Sequence, residues 1–139
     1  MRMKKFVKYI ADTLNIEPPE LVIGASDFKS GNALAHFDAE GNRLCLKSGD
    51  VTPQNLFRAA HEMRHIWQMQ HKELGYFNDY VSAGKAESIT AFNGQPEEID
   101  ANAFAAAVII KIFGIIPQFK GLTDETKEKI YRAAEKFDL

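Results

Sequence analysis

His61-Glu62-Met63-Arg64-His65 decides the reading of this chain. On an α-helix, H-E-x-x-H sets two imidazoles one turn apart on one face, where both can grip a single Zn²⁺, and leaves the glutamate beside the metal's open position. The competing reading is an ordinary amphipathic helix with two exposed histidines. Context separates the two.

Just upstream, Thr52 followed by Pro53 is a strong helix start: the hydroxyl can cap free amides, and proline is pre-set for the first helical position. The helix is expected to run to about Lys72. Leu56, Ala60, Met63 and Trp67 fall on one side, and His61 and His65 lie round from it, at the border of the core.

Further upstream, Phe6, Tyr9, Ile10 and Leu14 recur at three- and four-residue steps and predict an N-terminal amphipathic helix that stops before Pro18-Pro19. Leu21-Val22-Ile23 is β-rich, and the runs Leu34 to Phe37 and Arg43 to Lys47 flank Asp38-Ala39-Glu40-Gly41-Asn42, a composition suited to a hairpin turn. A small, mostly antiparallel sheet is expected.

Downstream, Glu73 to Gln95 has weak periodicity interrupted by Gly75, Gly84, Gly94, Asn78 and Asn93, which reads as a long irregular connection with one short helix. Pro96 then opens a helix with Glu97 and Glu98 in its first turn. Ala101, Phe104, Ala105, Val108, Ile109 and Ile112 form its apolar stripe, and Gly114 and Pro117 end it. A last helix begins at Thr123-Asp124-Glu125, with Ile130, Ala133, Ala134 and Phe137 on one face.

The whole chain bounds the function. Its 139 residues suit one domain over 1–139, and 45% hydrophobic with 26% charged residues is globular composition. Formal charge is −2 and the cations are spread, so neither nucleic acid nor a membrane surface is an expected partner, and protein or peptide is. A lone Cys45 excludes an internal disulfide, and no leader pattern opens the chain, so a cytoplasmic location is expected. The apolar stretch Ala103 to Ile116, broken by Lys111 and Gly114, falls short of the roughly 20 residues of a bilayer span and reads as a buried helix. Cys45 alternates with Leu44 and Leu46 and reads as structural.

A catalytic zinc takes three protein ligands and keeps a position for water. His71 stands ten residues after His61, as in H-E-x-x-H-x-x-G-x-x-H, but on an unbroken helix it sits about 15 Å along the axis and roughly 80° off the face. The turning glycine of that pattern is here Gln68, a good helix former. The other source is a carboxylate from Glu97-Glu98-Ile99-Asp100, which can complete a His₂Glu set. Glu98 and Asn102 are four apart and share a face, so Asn102 can support the ligand by hydrogen bonding. Dipole complementation accounts for acids in a first turn, but not for an Asn among Ala and Phe.

Ala60-His61-Glu62-Met63-Arg64-His65, followed by Glu98-Ile99-Asp100-Ala101-Asn102-Ala103-Phe104-Ala105, resembles the ImmA/IrrE family of small zinc metallopeptidases over roughly residues 20 to 113. The resemblance implies an α+β, gluzincin-like minimal zincin domain: an N-terminal helix, a small sheet, the H-E-x-x-H helix, a helix donating a Glu ligand and a C-terminal helix. It implies His61, His65 and Glu98 as zinc ligands and Glu62 as the base. Two positions depart from the family pattern. Arg64 stands where glycine is usual before the second His, and Asp100 replaces the commoner Glu.

The expected activity is zinc-dependent endopeptidase hydrolysis of a protein substrate, which the resemblance extends to regulators of the repressor type. Tyr76, Tyr80 and His36 are groups of the right type for an oxyanion donor, and His36 lies on a strand that an extended substrate can pair with if it is an edge. The alternative function is a non-catalytic zinc-binding interaction module on the same fold. The retained Glu62 argues against it, since a purely structural site has no use for a base.

Overall fold

The computed structural model describes residues 2–24 and 34–139. They form α1 (Met3–Leu14), β1 (Glu20–Ile23), β2 (Ala35–Asp38), β3 (Arg43–Leu46), α2 (Pro53–Met69), α3 (Ile89–Asn93), α4 (Pro96–Phe113) and α5 (Asp124–Glu135), an α+β arrangement. The chain groups into two compact units, residues 1–67 and 68–139.

In the first unit α1 buries Met3, Phe6, Val7, Ile10, Ala11 and Leu14, the face expected from their spacing. It stops at Asn15, whose φ of 54° lies in the left-handed region that asparagine tolerates. The expected hairpin follows. β2 and β3 pair antiparallel, with His36 opposite Cys45, around a turn in which Asp38 accepts from Arg43 Nη2 at 2.6 Å and from the Gly41 N–H at 3.4 Å.

β1 joins on the other side of β3 and runs parallel to it, Leu21 opposite Leu44. The sheet is therefore mixed, where composition alone pointed to a mostly antiparallel one. The β2–β3 turn closes locally and occupies one edge of β3. β1 takes the other, in a direction set by how the chain leaves α1, which hydrophobic pattern does not encode. Among the described residues β1 and β2 are the edge strands, and central β3 buries Leu44, Cys45 and Leu46 in succession.

Thr52 opens α2 as expected, its Oγ1 accepting from the Asn55 N–H at 3.2 Å. The helix ends at Met69, three residues short of the Lys72 that periodicity suggested, and Lys72–Leu74 form a separate 3₁₀ turn. Beyond Gln68 the residues are exposed or half-buried, so no apolar stripe sustains another turn.

In the second unit the long connection carries α3 and then meets α4, which has Pro96 in its first turn and ends at Gly114 with φ 66°. α4 is buried nearly all round, from Ala101 through Ile109. Its end is not. Ile112, assigned above to the buried stripe, is 38% exposed, and Ile110, Phe113, Ile115 and Ile116 are exposed too, so the apolar run is a buried helix only in its first part. α5 packs along α4 and is capped by Thr123, and just past its end Phe137 sits edge-on to Phe104 at 5.5 Å. Among the described residues, no helix is long and apolar enough to cross a membrane.

Candidate metal centre

α2 brings the two motif histidines together. Their Nε2 atoms lie 3.1 Å apart, with ring centroids at 4.7 Å and planes at 87°. Two nitrogens bound tetrahedrally to one Zn²⁺ at about 2.0–2.1 Å lie about 3.3 Å apart, so the pair is already set for a single ion. Phe57, one turn earlier, stacks on the His61 ring with centroids 6.3 Å apart. His65 is buried and His61 half-buried.

Glu62 and Arg64 flank this pair on opposite sides, each about 80° round the helix from the line between the histidines. Glu62 is half-buried. Arg64, the bulky departure from the family pattern, lays its guanidinium over the Trp67 ring at 3.7 Å. Trp67 lies about 140° round from the histidine pair on Arg64's side, so the stacking draws the cation away from the ligand face.

The carboxylates sit in the first turn of α4, where the helix N-terminus favours negative charge. Glu97 and Glu98 are 5% and 4% exposed, and carboxylates so deeply buried require partners. Glu98 Oε2 accepts from the Tyr80 hydroxyl at 2.9 Å, and Glu97 Oε2 accepts from the Phe77 N–H at 2.8 Å. Gln95 adds a two-way clamp: its Oε1 accepts from the Val81 N–H at 2.7 Å while its Nε2 donates to the Val81 carbonyl at 2.9 Å. Gln95, Glu97 and Glu98 thus fasten residues 77–81 to the start of α4.

Gln68 is the residue that sequence reasoning missed. Read above only as a helix former, it is completely buried, and its Nε2 donates to the Glu97 carbonyl at 3.0 Å and to Asp100 Oδ2 at 2.8 Å. The signal was its spacing: His61, His65 and Gln68 follow one another at four- and three-residue steps along one border of α2. Asp100, the second departure from the family pattern, is the acceptor for this amide.

His61, His65 and Glu98 each offer a ligand atom, and these atoms all lie within 4.8 Å of one another, a set that can hold a metal ion. Two imidazoles and a carboxylate are the donor chemistry of a three-ligand catalytic zinc site. His71 does not join the group; it lies past the end of α2, leading into the 3₁₀ turn. Cys45 is buried in β3 and also stands apart from the group. Asn102, one turn along α4 from Glu98, is 9% exposed. Tyr76 is half-buried in the connection, and His36 is half-buried on edge strand β2.

Residues 19–139 match the model of the IrrE N-terminal-like domain, the Peptidase_M78 family. The chain belongs to that family. The match to the IrrE N-terminal-like domain begins just before β1 and takes in every later element, so the family assignment rests on the sheet and on α2 to α5. No curated protein and no solved structure matches the chain. Membership in a peptidase family and the His-His-Glu cluster together support a metallopeptidase in general.

Proposed function

We propose that this IrrE N-terminal-like domain is a zinc-dependent endopeptidase acting on protein substrates, with His61, His65 and Glu98 as metal ligands, Glu62 as the general base and residues 1–139 working as one domain. The observation that carries the reading is the 3.1 Å approach of the two histidine Nε2 atoms within a group that includes Glu98. A zinc ion held there supplies Lewis acidity toward water and toward the scissile carbonyl. Glu62 takes the proton from the attacking water and passes it to the leaving amine. His61 and His65 must be neutral to act as ligands, so binding weakens in acid.

Asn102 supports the ligand helix beside Glu98. Of the three groups suited to oxyanion stabilisation, Tyr80 commits its hydroxyl proton to Glu98, which favours Tyr76 or His36 for that role. An extended segment of substrate adding to an edge of the sheet is the mode of recognition we favour, since β2 carries His36 on such an edge. A regulatory protein as substrate and a cytoplasmic location complete the proposal, the first from the family resemblance and the second from the chain's single cysteine, which excludes an internal disulfide.

Metal analysis of the purified protein tests the ligand set. Stoichiometric zinc is expected in the wild type and its loss in Glu98→Ala; a wild type without divalent metal, or a Glu98→Ala protein that retains it, refutes the assignment.

A further inference from the structure

Tyr80 lies in the middle of the irregular connection, eighteen residues before the carboxylate it touches, yet its position is fixed from several directions. Its ring packs edge-on against Phe77 at 4.8 Å and against Phe92 at 6.1 Å. The backbone is pinned on both sides of it, at Phe77 by Glu97 and at Val81 by Gln95. Phe77 also holds a φ of 63°, a left-handed conformation that a bulky side chain adopts only where its surroundings impose it. The hydroxyl is thus delivered to Glu98 Oε2 by a segment that has little freedom to place it elsewhere.

A glutamate side chain left unheld surrenders rotamer freedom when it takes up a metal. One whose carboxylate is already anchored does not. We infer that Tyr80 is a positioning residue: it presets the Glu98 carboxylate for the metal and thereby couples metal binding to the attachment of residues 77–81 on α4. The inference rests on the zinc site proposed above and names a control on it. Binding free energies are reciprocal, so whatever factor the Tyr80 contact adds to zinc affinity, zinc adds to the attachment of the segment. The connection behaves as a strap tightened by the metal and not as a freely swinging lid.

Tyr80→Phe tests this, because it removes the hydroxyl and keeps the ring against Phe77 and Phe92. Zinc affinity, measured by competition with a chromophoric chelator, is expected to fall about 10- to 100-fold, the usual effect of losing a group that orients a ligand. The visible absorption of the cobalt(II)-substituted protein should change shape, since it reads the ligand field and not overall stability. Amide exchange in residues 77–81 should slow on adding zinc to the wild type and respond less in Tyr80→Phe. Should that variant fold poorly, Glu97→Gln leaves the Tyr80 hydroxyl in place, loosens the Phe77 anchor and should weaken zinc binding in the same direction by a smaller factor.

Unchanged zinc affinity and an unchanged cobalt spectrum in Tyr80→Phe overturn the positioning role while leaving the site assignment intact. Absence of stoichiometric zinc in the wild type overturns both.

Discussion

Gln68 donates one amide proton to the Asp100 carboxylate and the other to the Glu97 carbonyl, 2.8 and 3.0 Å away, and so is fastened to the first turns of α4. Gln68 is fully buried and Asp100 half-buried, and a carboxylate that loses its donor in such surroundings is costly. Gln68→Leu keeps the volume and removes both donors. It should cost about 2 kcal/mol of stability in denaturant unfolding. Stability equal to the wild type would show that Asp100 finds another donor at no cost.

Glu62→Gln separates turnover from binding. The amide is close to isosteric but cannot take a proton, so peptide cleavage should fall by roughly 10²- to 10⁴-fold. Zinc content should stay at the wild-type level, because Glu62 is outside the ligand group. Equal cleavage by both proteins would remove Glu62 from the mechanism, and a wild type that binds partners without cutting any protein would favour the interaction module.

Arg64→Gly would restore the residue usual in the family. Removing the guanidinium from Trp67 and placing glycine inside a helix both act against stability, the glycine alone by about 1 kcal/mol. Zinc affinity should change little, since Arg64 is turned toward Trp67 and away from the histidine face. A large gain in zinc affinity would mean that the cation reaches the ligands after all.

The hairpin gives a pH signature. The Arg43 side chain bonded to Asp38 holds its carboxyl below the usual carboxylate range, helped by the Gly41 N–H. A carboxyl with a depressed folded-state pKa stabilises the fold above its unfolded value of about 3.9, and the contribution is lost as pH falls through the folded value. Arg43→Gln should therefore melt below the wild type at neutral pH, and the gap should close on acidification below pH ~3.9. The pair is exposed, so the gap is small; a gap that widens in acid would contradict the assignment.

What was legible in the sequence was what local chemistry decides. Thr52 and Pro96 mark helix starts by rules that operate within a few residues, Asp38 to Asn42 dictate their own turn, and four-residue spacing alone sets His61 against His65. Local pattern narrowed the third ligand to the acids that open α4, and the family resemblance then singled out Glu98 among them. Tyr80, Phe77 and Gln68 were opaque as partners of α4. Their contacts span 18, 20 and 32 residues and leave no periodic trace. The parallel entry of β1 was hidden for the same reason, and the end of α4 misled because an apolar run gives no sign of how far its neighbours extend.

The chain has a single tryptophan, and it is the one beneath Arg64. Indole emission, usually a blurred average over several sites, comes here from one ring two residues past the second motif histidine. Its wavelength and quenching report the surroundings of that helical turn, so the native protein carries its own optical probe beside the motif and needs no attached dye.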